Sequence, residues 1–304
     1  QLIPWETLTK EDVVIVPAFG TTLEIEQTLS KIGINPYAYN TTCPFVEKVW
    51  NRSEKLGETN HTIIIHGKHQ HEETRATFSH SSTNAPSLIV KDINEAKILG
   101  AYILGEIPLD TFLATFKNKT SVHFDPETDL QKIGIVNQTT MLASETQEIT
   151  LYLREVMIKK HGEEQIKQHI ADTRDTLCYA TNDNQTAVNS LLEIPADIAF
   201  VMGGKNSSNS SHLVELCEQK LPTYFIDDVN KIINENEIIK TNWKDKSEEI
   251  IQNFLPAQAT VSILMTSGAS CPDTVVESVI RKVASFYNVE AALDDVIQFW
   301  QAPN

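Results

Sequence analysis

A dense group of titratable residues follows one apolar run in the first third of the chain. It reads His66-Gly67-Lys68-His69-Gln70-His71-Glu72-Glu73-Thr74. Its three histidines could ligate zinc, although their spacing fits no standard zinc motif. A second interpretation is a histidine that binds an anion beside a carboxylic acid that donates a proton. A single histidine is more often an ordinary surface residue, so the clustering after a predicted strand is what favours a functional site.

A run of small polar residues after another apolar stretch predicts a phosphate-binding turn. The run Lys205-Asn206-Ser207-Ser208-Asn209-Ser210-Ser211 follows a predicted strand and opens a predicted helix. Hydroxyl, amide and free helix N–H groups can bind a phosphate or diphosphate without a glycine-rich loop. The alternative is a polar helix cap, but the run is long for a cap alone. Thr139-Thr140 and Ser267-Gly268-Ala269-Ser270 stand at analogous turns and can add hydroxyl groups.

Two of the four cysteines stand where a predicted strand meets a predicted helix. Cys43 and Cys178 occupy these turns, and a helix N-terminus favours a thiolate. With one more thiolate they would make a three-cysteine site, which can hold a cubane iron–sulfur cluster and leave one iron open for substrate. The alternative is that both are buried structural cysteines. Cys217 and Cys271 have no counterparts in the repeat described below, and we interpret them as structural.

Apolar runs alternate with amphipathic segments along the whole chain, which predicts α/β architecture with parallel sheets. The runs are continuously apolar, as expected for strands that are buried on both faces. The predicted strands are 13–16, 62–66, 87–90, 132–136, 197–202, 223–226 and 261–265. The predicted helices are 21–31, 46–55, 143–160, 186–192, 210–219 and 273–285.

Four features of the first half recur in the same order about 130–137 residues later, which predicts an internal repeat. The paired segments are 40–43 with 175–178, 66–68 with 203–205, 90–94 with 226–230, and 134–140 with 263–270. Segment 14–22 matches only the last quarter of the repeat, so the first copy is incomplete. The repeat therefore predicts a further segment of about 90–100 residues upstream of residue 1, carrying a third equivalent cysteine.

The predicted architecture is a trefoil-like arrangement of three pseudo-repeated α/β domains, of which the first is incomplete. Residues 1–42 are the end of the first domain, 43–177 the second domain, 178–275 the third, and 276–304 a C-terminal helix and tail.

Composition excludes several classes of protein. The 304 residues carry 25 Lys and Arg against 41 Asp and Glu, a formal net charge of −16. Such a charge argues against nucleic-acid binding and against adhesion to anionic membranes. No apolar run reaches the roughly 18 residues of a membrane span. Four cysteines are too few for a disulfide framework, so we expect a reducing compartment, the cytoplasm.

Six motifs are recognisable together: NTTCPFVEKVW (40–50), HEET (71–74), NQTTML (137–142), DTLCYAT (175–181), GGKNSSNSSHL (203–213) and TSGASCPD (266–273). In combination they resemble one known family, 4-hydroxy-3-methylbut-2-enyl diphosphate reductase, the last enzyme of the methylerythritol phosphate pathway to isoprenoids. The resemblance extends from about residue 12 to residue 283. The turn PAFG (17–20) and the insert around 110–129 look like the plant and cyanobacterial branch.

The resemblance implies a trefoil of three α/β domains around a 4Fe–4S cluster. Cys43 and Cys178 match two of its three ligands, and the third is expected upstream of residue 1 together with a substrate-binding histidine. Glu73 matches the acid that delivers protons, and Thr139 matches a hydroxyl group near that acid. The residues that match the diphosphate-binding set are His71, Ser207, Ser208, Asn209 and Ser270.

The implied reaction is the reductive dehydroxylation of 4-hydroxy-3-methylbut-2-enyl diphosphate to isopentenyl and dimethylallyl diphosphate. Ferredoxin or flavodoxin is the implied electron donor, and the plastid stroma replaces the cytoplasm if the source is a photosynthetic eukaryote. Two alternatives stay open. One is a catalytically inactive fragment that keeps the fold. The other is a zinc-dependent phosphohydrolase that uses the cluster His66–Glu73.

Overall fold

The computed structural model describes residues 5–171, 178–258, 260–290, 292–293 and 295–296. The chain folds into two compact units, Gln1–Cys178 and Tyr179–Asn304. The division into four segments, at 42, 177 and 275, stays a prediction. Within the part of the chain that is described, every helix is too short or too polar to cross a bilayer.

The first unit is built on a parallel sheet of β1 (Thr62–His66), β2 (Ser87–Val90) and β3 (Ile133–Asn137), in the order β2-β1-β3. Every residue of these strands is buried. Burial on both faces explains why the strands read as continuous apolar runs. The predicted α/β class with parallel sheets is confirmed.

Helices cover both faces of this sheet. Ile64 and Ile135 point to one face and pack with residues of α4 and α7, whereas Ile63 and Ile65 point to the other face and pack with α2. The alternation follows from the two-residue period of a strand. The helices are α1 (Leu23–Ile32), α2 (Pro44–Glu58), α3 (Glu72–Ser82), α4 (Ile93–Ile103), α5 (Leu109–Thr115), α6 (Pro126–Asp129), α7 (Ala143–His161) and α8 (Ile166–His169).

The second unit repeats this plan. Its parallel sheet has the order β5-β4-β8, and an antiparallel hairpin of β6 and β7 is inserted before the last strand. The elements are α9 (Tyr179–Leu191), β4 (Ile198–Met202), α10 (Ser208–Glu218), β5 (Thr223–Ile226), β6 (Glu237–Thr241), β7 (Glu248–Gln252), β8 (Ile263–Ser267) and α11 (Asp273–Phe286).

The two sheets share one topology, in which the first strand is central and the second and third strands flank it. Equivalent residues of the two units also form equivalent hydrogen bonds. Asp92 caps α4 by accepting the N–H group of Asn94 at 3.0 Å, and Asp228 accepts that of Asn230 at 2.7 Å. The internal repeat is therefore present in the fold as well as in the sequence.

The predicted strand 13–16 is wrong. Only Val16 forms a β-bridge, to Asn40, while Val13 and Ile15 are 64% and 65% exposed. A strand is stabilised by its neighbours, and a single bridge does not provide them. The helix after it forms close to its predicted position, as α1. The hairpin of β6 and β7, and helices α3 and α4, were not predicted.

Candidate functional site

The acid of the titratable cluster lies at the start of α3. The chain leaves β1 at His66, turns with a hydrogen bond from the His71 N–H group to the Lys68 carbonyl (2.8 Å), and enters the helix at Glu72. Glu73 is the second residue of the helix and is only 4% exposed. Its burial follows from its position, because the first turn of α3 lies at the carboxyl end of a fully buried strand.

Thr139 binds the Glu73 carboxyl group from the loop that follows β3. The backbone N–H group of Thr139 donates to Glu73 Oε1 at 2.5 Å. Burial raises the pKa of Glu73, whereas the hydrogen bonds from the backbone and hydroxyl of Thr139 lower it. Burial is the larger effect, so the pKa of Glu73 is raised to about 7. Glu73 is therefore a carboxylic acid that can hold a proton near neutral pH and release it.

His71 is the residue immediately before α3, and its side chain caps the helix. Its Nδ1 accepts the backbone N–H group of Glu73 at 3.2 Å. A neutral imidazole that accepts at Nδ1 carries its proton on Nε2. His71 is thus held in the form that can donate a hydrogen bond to an anion.

The zinc interpretation of this cluster is wrong for the described residues. Among them, no three His, Cys, Asp or Glu side chains lie close enough to hold a metal ion. His66 is fully buried, and its Nδ1 shares a hydrogen bond with the Thr146 hydroxyl at 2.9 Å.

Both candidate cluster cysteines stand directly before a helix. Cys43 precedes α2, and its N–H group donates to the carbonyl of Ala18 at 2.8 Å. Cys178 precedes α9, although the rest of its motif, 175–177, lies outside the described residues. Both thiols are free and partly exposed. Cys217 is buried, and burial raises its pKa to about 12, which fits the structural role expected of it.

The Ser/Asn run forms the N-terminus of α10. Ser207 caps the helix by accepting the N–H group of Ser210 at 3.2 Å, and Ser208 and Asn209 are the first two helical residues. Asn209 is 7% exposed, yet neither atom of its carboxamide has a hydrogen-bond partner among the described residues. An unpaired buried polar group costs about 1–3 kcal/mol. Together with the positive end of the helix dipole, it marks a place for a polar, anionic ligand.

Ser270 lies in the loop between β8 and α11 and is exposed. Gly203, directly after β4, and Gly268, the first residue of this loop, both pack on Ser210. A Cβ atom at either position would collide with the Ser210 Oγ atom. Glycine at both positions thus allows the first turn of α10 to sit against the end of the sheet.

The two candidate sites occupy the same place in the repeat. His71 and Ser207 each precede the helix that follows the central strand, and Glu73 and Asn209 are each its second residue. Separate interpretation of the two motifs missed this equivalence, although the constant offset of the repeat could have revealed it. Sequence reasoning also missed Thr74 and Gln138, two buried residues beside Glu73 and Thr139.

Comparisons with known proteins agree on one family. The family described as LytB protein matches residues 3–284. A protein of Synechococcus sp. (strain WH7803) named 4-hydroxy-3-methylbut-2-enyl diphosphate reductase is 43% identical over 281 residues, which cover 91% of this chain and 68% of the relative. A protein of the same name from Cyanothece sp. (strain PCC 7425 / ATCC 29141) is 42% identical over 284 residues, which cover 93% of this chain and 68% of the relative.

A solved structure also has a similar fold. It is the E-1-hydroxy-2-methyl-but-2-enyl-4-diphosphate reductase from Plasmodium falciparum, with a TM-score of 0.61 and 20% identity. The match covers 92% of this chain and 69% of that chain. At this level of identity the likeness concerns the fold alone.

We expect Glu73→Gln to change how stability depends on pH. Because burial raises the pKa of Glu73 from 4.5 to about 7, the wild-type fold is favoured below pH 4.5 and loses this advantage as pH rises through 7. The loss is on the order of 3 kcal/mol. Urea unfolding across this range should show the wild type weakening relative to Glu73→Gln. The exposed control Glu72→Gln should lose stability with rising pH as the wild type does. A stability difference between wild type and Glu73→Gln that stays constant with pH, or a Glu72→Gln variant that behaves like Glu73→Gln, would contradict the raised pKa.

Proposed function

The chain belongs to the LytB protein family, and from this premise we propose that it is a 4-hydroxy-3-methylbut-2-enyl diphosphate reductase. The proposed reaction removes the allylic hydroxyl group of that substrate and yields isopentenyl and dimethylallyl diphosphate for isoprenoid synthesis. The observation that carries the proposal is Glu73, a buried carboxyl group that keeps its proton up to about pH 7.

Glu73 supplies the proton for the leaving group. The overall reaction takes up two electrons and two protons, breaks the carbon–oxygen bond, forms a carbon–hydrogen bond and releases water. A hydroxide ion is a poor leaving group, so protonation of the oxygen as the bond breaks lowers the barrier. The N–H and hydroxyl groups of Thr139 then stabilise the carboxylate that remains on Glu73.

The diphosphate is assigned to Ser207, Ser208, Asn209 and Ser270 of the second unit. His71 of the first unit is proposed as a substrate-binding residue. The net charge of −16 repels an anion at long range, so binding depends on local donors. The first turn of α10 offers serine hydroxyls and the positive end of the helix dipole. The unpaired carboxamide of Asn209 supports the assignment, because a bound phosphate oxygen would satisfy its Nδ2 atom.

Cys43 and Cys178 are the residues that would hold an iron–sulfur cluster. Both are free, partly exposed thiols at helix N-termini, which suits a thiolate ligand. A third thiolate is needed, since the described residues form no three-ligand group by themselves. When bound, such a cluster supplies electrons one at a time and offers an open iron position. A 4Fe–4S composition is part of this proposal.

The electron donor is proposed to be ferredoxin or flavodoxin. The four free cysteines favour a reducing compartment. We therefore assign the protein to the cytoplasm, or to the plastid stroma if the source is a photosynthetic eukaryote.

A second candidate function is a catalytically inactive member of the family that binds no cluster. It is favoured by the lack of a three-ligand group among the described residues.

Iron and sulfide analysis after anaerobic reconstitution distinguishes the reductase from the inactive family member. About four iron and four sulfide ions per chain support the reductase, whereas none supports the inactive form. Loss of iron binding in Cys43→Ser but not in Cys217→Ser would identify the ligand.

We expect Glu73→Gln to retain diphosphate binding and to lose turnover by a factor of about 10²–10⁴, because the amide cannot donate the proton. Product formation from 4-hydroxy-3-methylbut-2-enyl diphosphate under a chemical reductant measures the loss. The neighbouring Glu72→Gln is the control, since that side chain is exposed and pairs with Arg75 at 3.0 Å. Normal turnover by Glu73→Gln would refute its role as proton donor.

We expect Asn209→Leu to weaken the binding of inorganic diphosphate by about tenfold or more, because a buried hydrogen bond to a charged group is lost. The same substitution should leave the ligand-free fold at least as stable as the wild type, since the carboxamide is unpaired there. Calorimetric titration and urea unfolding measure the two effects. Asn189→Leu, on the exposed side of α9, is the matched control. Unchanged affinity would remove Asn209 from the binding site.

A further inference from the structure

A second hydrogen bond runs beside the contact between Glu73 and Thr139. Thr74 follows Glu73 in α3, and Gln138 precedes Thr139 after β3. The Thr74 hydroxyl donates to the Gln138 Oε1 atom at 3.0 Å, and both side chains are fully buried. Two consecutive residues of the helix are thus joined to two consecutive residues of the loop.

The Gln138 side chain connects three segments around the acid. Its Oε1 atom also accepts the Lys68 N–H group at 3.3 Å, and its Nε2 atom donates to the Thr140 hydroxyl at 2.7 Å. Its backbone N–H group donates to the His66 carbonyl at 2.8 Å. The end of β1, the first turn of α3 and the loop after β3 are therefore held together by one residue.

The end of β1 is shaped to let the Thr74 hydroxyl reach this carboxamide. A Cβ atom at Gly67 would lie 2.6 Å from the Thr74 Oγ1 atom and 3.1 Å from the Gln138 Cβ atom. Any other residue at this position would push the threonine hydroxyl away.

The second unit has the same packing without the hydrogen bond. Ser210 is the counterpart of Thr74, and Gly268, which has no side chain to accept a bond, stands where the first unit has Gln138. The Ser210 hydroxyl has no hydrogen-bond partner among the described residues. The bond between hydroxyl and carboxamide is thus found in the unit that carries the acid, whereas the other unit has Asn209 in the acid's place.

We propose that Thr74, acting through Gln138, is a positioning residue that holds Glu73 against Thr139. The inference rests on the proposed function, in which Glu73 donates a proton, and it adds the residue that sets the geometry of this acid.

Thr74 acts by holding the Gln138 side chain, and with it the loop that carries Thr139, against α3. Without the Thr74 hydroxyl, the Gln138 Oε1 atom keeps the longer hydrogen bond from the Lys68 N–H group at 3.3 Å, but the carboxamide loses its hydrogen bond to α3. We expect the loop after β3 to be held less firmly against the first turn of this helix. The loop would then carry Thr139 away from the Glu73 carboxyl group. Because the Thr139 hydrogen bonds lower the pKa of Glu73, weakening them should raise it further.

Charged neighbours do not provide another explanation. Burial and Thr139 alone account for the pKa of Glu73. The titratable groups nearest to it along the chain are His71, Glu72 and Arg75 on its own segment. His66 lies at the end of β1, and Lys68 and His69 lie in the turn after it. The loop after β3, residues 138–142, contains only uncharged residues. Glu24 and Glu26 of α1 contact Ser79 and His80, two turns further along α3. From α2, Trp50 donates to Thr77 at 3.2 Å, one turn further along.

The test is the carboxyl titration of Glu73 in the whole chain, followed by NMR with ¹³C at the glutamate side-chain carboxyl. The Glu73 signal is identified by its loss in Glu73→Gln. We expect Thr74→Val, which replaces the hydroxyl by a methyl group of similar size, to raise the titration midpoint by about 1 pH unit. Thr74→Ser, which keeps the hydroxyl, should restore the wild-type midpoint.

Thr77→Val is the matched control, because Thr77 is also buried in α3 and its hydroxyl is also hydrogen-bonded, in this case as the acceptor from Trp50. It should leave the Glu73 midpoint unchanged. An unchanged midpoint in Thr74→Val, or an equal shift in Thr77→Val, would overturn the proposal. If Thr74→Val does not fold, Thr74→Ala provides the same comparison. The titration needs no turnover, so the two proposals can fail separately. Thr74 can prove to have no effect on the Glu73 midpoint while Glu73 is still essential for catalysis, and Thr74 can shift the midpoint even if Glu73 proves dispensable for turnover.

Discussion

The burial of the Glu73 carboxyl group is the constraint on which the rest of the candidate site depends. The group is 4% exposed and forms no ion pair with a described residue, so its charged form is disfavoured. Burial alone would raise the pKa of Glu73 further, whereas the hydrogen bonds from Thr139 lower it towards neutral pH. A small displacement of the loop after β3 would disturb this balance, which is why the surrounding bonds of Gln138 matter.

Parallel sheet topology brings these groups together. In each unit the central strand leads into a helix whose first turn lies beside the loop after the third strand. Carboxyl ends of parallel strands and N-termini of helices meet at one edge, where ligands of α/β proteins bind. The first unit places an acid at the second helical position and the second unit places a carboxamide there. Under the proposed function, the second residue of the helix after the central strand transfers a proton in the first unit (Glu73) and binds an anion in the second unit (Asn209).

Much of this could be predicted from sequence, because buried parallel strands leave continuous apolar runs. The strands at 62–66, 87–90 and 223–226 were predicted with their observed bounds, and α7 with its observed start. The prediction of a strand at 13–16 was wrong because an apolar sequence does not by itself provide a neighbouring strand to pair with. The hairpin of β6 and β7 was missed because it is charged, and β7 is largely exposed. In the site, the roles of Glu73 and Thr139 follow from the motifs in which they stand. The hydrogen bond between Thr74 and Gln138 could not be predicted, since no local pattern links residues 64 positions apart.

The most direct test of the account is the pH dependence of turnover in protein that has been reconstituted with its cluster. If Glu73 donates the proton, the rate should fall as pH rises above about 7, approaching tenfold per pH unit. The residual rate of Glu73→Gln should lack this decline. A wild-type rate that stays constant to about pH 9, or a decline that persists in Glu73→Gln, would contradict the central claim that the buried Glu73 carboxyl group is the proton donor.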